Sequence, residues 1–235
     1  MRVYLIHGFL ENPKMWDFTS QLDVAFTRLS LPGHGDWIER PCPGSMEEIA
    51  QEILAQINTN EPYGIIGHSM GGYLLGELIH QGARPQWIGL FHSKLSEDEP
   101  SKKEQRLRAI DLVVENKNLY IRTMISNLFP EAFKVKKYHI IDDLVRDAFQ
   151  IETTTIQQCQ RAMMNRKGHL KWVESLQIPV HYFGGSVDTS VTQKDIEQEH
   201  KQFSLAQVKQ VDGIGHMGQW ECPEIALEWI QSLCP

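Results

Sequence analysis

The sequence predicts an α/β chain built on a mostly parallel sheet flanked by helices, and three observations carry that expectation. Short apolar runs alternate with amphipathic helical stretches over the first ninety residues, the pattern of strand–helix–strand units with parallel strands. The alternation stops between residues 94 and 170, where only helical spacing is found, and returns from Ile178 onward. Glycine-rich turns also follow the apolar runs: His7-Gly8-Phe9, Pro32-Gly33-His34-Gly35, Gly67-His68-Ser69-Met70-Gly71-Gly72, Gly184-Gly185-Ser186 and Gly213-Ile214-Gly215.

Bulk properties narrow the field. A chain of 235 residues with 41% hydrophobic content can bury one large core. The expected organisation is a core of residues 1–93 and 171–235, interrupted by a helical lid over 94–170. A net charge of −7 argues against nucleic acid or an anionic membrane as partner. No apolar run approaches the ~18 residues that a membrane span needs. Met1 to Ile6 leads straight into a strand rather than a signal-peptide pattern, so a cytoplasmic location is expected. Cys42, Cys159, Cys222 and Cys234 have no CxxC or metal-ligand spacing and read as reduced thiols.

Taken in order, Val3–Ile6 is continuously apolar, as in a strand buried on both faces. Its loop, His7-Gly8-Phe9-Leu10, suits a donor of backbone N–H groups, with His7 bracing the loop. Residues 24–31 form a second strand, and His34 in the turn after it is another bracing residue. Ser45 caps a helix whose buried stripe is Ile49, Ile53, Leu54 and Ile57. Tyr63–Ile66 and Gln86–Phe91 are the third and fourth strands. In the insertion, helical stripes run through Leu107, Ile110 and Val114, then Leu119, Met124, Ile125 and Leu128, then Ile140, Ile141, Leu144, Val145 and Ala148. The stretch Glu97 to Glu104 reads as a mobile surface connection. Strands at 178–183 and 206–211, a helix at about 192–203 and a closing helix at 223–233 complete the chain. His169 and His200 read as surface positions.

Gly67-His68-Ser69-Met70-Gly71 lies between an apolar run and a helical pattern. That context makes it a nucleophile elbow: a turn too tight for side chains at its glycines, with a strained serine aimed into a cleft. The helix that begins at once turns its free N–H groups toward developing negative charge. His68 is expected to pack beneath the elbow. Ser69, Asp188 and His216 each follow a strand, the edge at which open parallel sheets build sites. Their order is Ser, Asp, His, and the 28 residues from Asp188 to His216 accommodate one helix and one strand. Asp212 reads as a solvated turn acid. Glu97 or Asp98 would be the acid only in a variant layout.

The sequence resembles the α/β-hydrolase superfamily over essentially its whole length. The residues that carry the resemblance are His7-Gly8-Phe9, Leu31-Pro32-Gly33-His34-Gly35, Gly67 to Gly72, Gly185-Ser186-Val187-Asp188 and Gly215-His216. It implies Ser69 as nucleophile, His216 as base, Asp188 as orienting acid, the amides of Phe9 and Met70 as oxyanion donors, and a helical lid. The two strands that often lead the family's sheet are missing here. Tyr73, His92, Met124 and Met163 are candidates for substrate contact. No histidine pair has metal-ligand spacing, and neither a metal nor another cofactor is implied.

The leading expectation is a serine hydrolase acting on a small to medium acyl ester or thioester. Lys102-Lys103 and the lysines from Lys134 to Lys137 would suit an acidic acyl carrier protein as partner. His7-Gly8-Phe9-Leu10 also resembles menaquinone-pathway lyases, which eliminate pyruvate from a cyclohexene carboxylate with the same triad. Those enzymes carry an arginine just after the elbow's Gly-Gly, where this chain has Tyr73. Arg122, Arg161 and Arg166 could still meet carboxylates, although such arginines usually face solvent. A non-catalytic ligand-binding member of the fold is the third alternative.

Overall fold

The computed structural model describes residues 1–234. Six strands, β1 (Arg2–Ile6), β2 (Ala25–Leu29), β3 (Tyr63–His68), β4 (Trp87–Phe91), β5 (Val180–Gly185) and β6 (Ala206–Val211), form one sheet in the order β2-β1-β3-β4-β5-β6. All five pairings are parallel. The inner strands β3 and β4 are buried at every position, which explains their continuous apolar runs. The edge strand β6 is exposed over much of its length and carries Lys209, a charge that discourages pairing with another chain. From β1 the chain first steps to one side, to β2, and then to the other, to β3. That reversal opens a crevice at the carboxyl ends of β1 and β3.

Helices cover both faces. α1 (Met46–Leu54) is capped by the Ser45 side chain, which accepts from the Glu48 amide, and buries Met46, Ile49, Ala50 and Ile53. α2 (Met70–His80) is buried from Met70 to Ile79, as a helix apolar on all sides must be. The acid within it, Glu77, bonds His169 Nε2 at 2.6 Å, so His169 is a buried partner and not the surface residue expected. On the opposite face, α9 (Pro223–Leu233) packs Ala226, Trp229, Ile230 and Leu233 against Phe91 and Phe183.

Five helices separate β4 from β5: α3 (Pro100–Glu115), α4 (Lys117–Ser126), α5 (Glu131–Ala148), α6 (Thr153–Asn165) and α7 (Leu170–Ser175). Their apolar residues, among them Val113, Ile121, Ile125, Val145 and Met163, belong to the same cluster as Ile6, Ile65 and Leu74 of the sheet side. The insertion is therefore packed onto the core. Its root is pinned by Glu199 of α8 (Gln193–His200), whose carboxylate accepts from the amides of Leu95 and Ser96 and from the Tyr182 hydroxyl.

Two expectations about the insertion are corrected. Leu107 and Val114 are exposed, and α3 buries Arg106, Ile110 and Val113 instead. The helix is turned because Arg106 pairs with Asp98 and with Gln160 Oε1. Asp98 in turn is 4% exposed and also meets Arg166 Nη1 at 2.7 Å, so the acidic approach to α3 is tied down and not a mobile surface connection. Among the described residues no helix is long and apolar enough to cross a membrane.

Candidate active site

Ser69 sits at the β3–α2 junction with φ 48° and ψ −115°, a conformation that costs energy for any residue with a side chain. Packing enforces it. A Cβ on Gly67 would lie 2.4 Å from the backbone of Gly71, and one on Gly71 would lie 2.5 Å from the Ile6 carbonyl oxygen. The Ser69 amide donates to the Phe91 carbonyl at 3.1 Å, and the Ser93 hydroxyl donates to the Ser69 carbonyl at 2.7 Å. The hydroxyl of Ser69 is thereby aimed rather than free to wander.

The loops after β5 and β6 lie side by side. A Cβ on Gly185 would come within 2.2 Å of the Ile214 carbonyl oxygen, so only glycine allows this approach, and the Val187 amide donates to that same carbonyl at 3.1 Å. The loops bring Asp188 Oδ2 to 2.7 Å from His216 Nδ1, and His216 Nε2 to 2.9 Å from Ser69 Oγ. A carboxylate can only accept, so Nδ1 of His216 carries the proton and Nε2 offers its lone pair to the serine hydroxyl. Burial opposes charge on Asp188, but the facing His216 and hydrogen bonds from two histidines outweigh it and hold the carboxyl far below its usual range.

The second of those histidines is His92, which was expected to face substrate. It is fully buried, its Nδ1 lies 3.1 Å from the same Asp188 oxygen, and its Nε2 accepts from the Gly218 amide at 3.2 Å. Accepting at Nε2 fixes the proton on Nδ1, so His92 donates to Asp188. Burial keeps its pKa down at about 4. It stands behind Asp188 and does not line the pocket, and its φ of 47° breaks the extended run of β4. His92, Asp188 and His216 have ligand atoms within 4.8 Å of one another, a cluster that sequence spacing did not reveal. The two protons directed at Asp188 account for that closeness as a hydrogen-bond relay.

His216 is held from three further sides. Its amide donates to the Leu128 carbonyl of the insertion at 2.9 Å. Glu221 accepts from the amides of both neighbours, Gly215 at 2.8 Å and Met217 at 2.9 Å. His68 Nε2 donates to the His216 carbonyl at 3.0 Å, while His68 Nδ1 meets Glu11 Oε2 at 2.7 Å. Glu11 also accepts from the Gly8 amide at 2.6 Å, the loop that carries Phe9. His7 braces that loop from within: its Nε2 accepts from the Leu31 amide at 3.0 Å, and burial drops its pKa to about 3.

One pocket gathers Ser69, His216, Phe9, Tyr73, Met124, Leu128, Met163, Glu11, His68, Ser190, Lys102 and Arg106. Of the residues expected to contact substrate, Tyr73, Met124 and Met163 line it and His92 does not. Phe9 lines this pocket and Met70 directly follows the serine, and neither amide has an acceptor among the described residues. Arg122 is exposed and pairs with Asp142, and Arg161 is exposed too, so neither reaches the pocket. Larger hollows lie elsewhere, as between Leu10, Asp143 and Trp220, but none of these holds the triad.

Residues 3–227 match the model of the alpha/beta hydrolase family. The chain belongs to that family. No match was found among curated proteins. The fold is similar to a thermophilic esterase from Thermogutta terrifontis, at 19% identity and TM-score 0.87 over 99% of this chain and 89% of that one. It is also similar to the enol-lactonase from Burkholderia xenovorans LB400, at 14% identity and TM-score 0.86 over 98% and 90% of the two chains. MenH from S. aureus is similar at 14% identity and TM-score 0.81, over 99% and 92%. At such identities these likenesses establish the hydrolase fold.

Sequence reasoning missed Glu11, Glu221 and the role of His92. An acid next to an apolar loop (Glu11) and one four residues after Gly215-His216-Met217 (Glu221) were the available signals. Neither is distinguishable from a surface acid until its amide partners are known.

Proposed function

We propose that this hydrolase cleaves a carboxylic ester, or a thioester, of a small to medium acyl substrate through an acyl-enzyme on Ser69. The observation that carries the reading is the unbroken line from Ser69 Oγ through His216 to Asp188, with the imidazole proton fixed on the acid's side. His216 Nε2 takes the hydroxyl proton as Ser69 Oγ bonds to the carbonyl carbon. The amides of Phe9 and Met70 receive the oxyanion, a contribution worth on the order of a hundredfold in rate per donor. The tetrahedral intermediate collapses, the alcohol or thiol leaves with the proton from His216, and water repeats the sequence to release the acid. The apolar wall of Phe9, Tyr73, Met124, Leu128 and Met163 suits an acyl chain.

Pyruvate elimination with the same triad is the second reading. Arg166 favours it, because its guanidinium lies 3.9 Å over the ring of Tyr73, at the position where such lyases carry arginine. That group is already engaged by Asp98 and by the carbonyls of Ser96 and Met163, which leaves hydrolysis ahead.

The test is turnover of p-nitrophenyl esters over a series of acyl lengths, with peptide mapping after reaction with a fluorophosphonate. The expected result is length-dependent hydrolysis and one phosphonyl adduct, on Ser69. A folded protein that turns over no ester of the series, or that is labelled elsewhere, overturns the reading.

A further inference from the structure

Two cations line the pocket beside the triad, one turn apart on α3. Arg106 is 7% exposed; its Nε goes to Asp98 and its Nη1 to Gln160 at 3.0 Å, while Nη2 has no hydrogen-bond partner among the described residues. Lys102 is half-buried, and its ammonium has neither an ion pair nor a hydrogen bond among the described residues, although the adjacent Lys103 pairs with Glu97. Burial first, and then repulsion from Arg106, lowers the Lys102 pKa, while Asp98 and Asp188 oppose the shift.

The charges around the pocket do not cancel. Three cations, Lys102, Arg106 and Arg166, stand against two carboxylates, Asp98 and the buried Asp188. The Glu11–His68 pair is balanced within itself, and Asp188 is 5% exposed behind His216. A half-buried ammonium and an open guanidinium edge on a substrate pocket retain a desolvation cost that an incoming anion would relieve. The apolar residues Met124, Leu128 and Met163 belong to the same insertion as the two cations. An acyl chain laid along the former can therefore end at the latter.

We infer that Lys102 and the open edge of Arg106 form an anion subsite, and that the substrate is an ester whose acyl part carries a carboxylate, such as a half-ester of a dicarboxylic acid. This rests on the hydrolase reading above and gives its substrate class. Lys102 accordingly acts at the pocket, not on the solvated surface where an acidic carrier protein would meet it.

Mono-p-nitrophenyl adipate and p-nitrophenyl hexanoate have the same chain length and differ in a terminal carboxylate against a methyl group. The expected kcat/KM favours the adipate by about tenfold or more, the scale of one charge-assisted hydrogen bond. Lys102→Glu should reduce the adipate-to-hexanoate ratio by a similar factor, and any general loss of activity cancels in that ratio. Hexanoate turnover without an adipate preference, or a ratio indifferent to Lys102→Glu, overturns the subsite and leaves the hydrolase intact. If neither ester is turned over, the hydrolase reading fails, and calorimetric binding of adipate decides the subsite separately. Binding weakened by Lys102→Glu supports it, and absent or unchanged binding overturns it.

Discussion

Asp188→Asn is expected to lower kcat/KM on a p-nitrophenyl ester by on the order of 10⁴-fold, in a protein that still folds. The reason lies in the count of donors. Oδ1 accepts from the amides of Ser190 and Val191 at 2.8 and 3.0 Å, and Oδ2 accepts from Nδ1 of both His216 and His92. Four donors converge on a group with two acceptor atoms. An asparagine has one acceptor oxygen and one NH₂, so either orientation sets donors against donors. If the NH₂ faces the histidines, His216 must move its proton to Nε2 and can no longer accept from Ser69. If the NH₂ faces the two amides, the loop after β5 is pushed away from the base. The first outcome removes the proton acceptor, the second displaces the group that orients it, and neither removes the pocket. Steady-state kinetics should show the loss mainly in kcat, with circular dichroism unchanged; a variant within tenfold of the parent would mean that Asp188 does not set the tautomer.

The same donor count explains what could be read from the chain alone. Ser69, Asp188 and His216 announce themselves because each follows a strand at a glycine-bearing turn, and the order of the strands puts those turns at one sheet edge. The strands β3 and β4 were equally plain, since burial on both faces leaves an uninterrupted apolar run. The phase of α3 was not legible. Hydrophobic periodicity favours Leu107 and Val114 as the inward positions, whereas the helix turns Arg106 inward to reach Asp98 and Gln160, the latter 54 residues away. A buried charge is stabilised by its partner, and the partner is a tertiary fact. The insertion's contribution to the pocket was hidden for that reason, as was the meeting of Cys42 and Cys159, whose sulfurs lie 3.5 Å apart across 117 residues. His92, expected at the pocket, lies behind Asp188, held there by Asp188 and by the Gly218 amide, partners 96 and 126 residues away.

Glu11→Gln should destabilise the fold by about 3 kcal/mol or more, the scale seen when one member of a buried ion pair is removed. The corresponding fall in Tm is about 10 °C for a domain of this size. His68 Nε2 faces a carbonyl and Nδ1 faces a carboxylate, so both nitrogens must donate and the ring is an imidazolium. Burial works against both charges, yet Glu11 holds the His68 pKa above its ordinary 6.5, and His68 holds the Glu11 pKa below its ordinary 4.5. Linkage then sets the pH window. The His68 contribution is fully present below about pH 6.5 and is lost as pH rises through the raised folded value. The Glu11 contribution is present above about pH 4.5 and is lost as pH falls through the depressed folded value. The parent's advantage over Glu11→Gln should therefore be largest between these limits and shrink on either side. Denaturant unfolding at several pH values measures it, and a difference that does not vary with pH would mean that the pair is not ionised. Activity should fall with stability. Glu11 holds the Gly8 amide in the loop after β1, and His68 holds the carbonyl of His216, so the one ion pair ties both loops to the turn that carries Ser69.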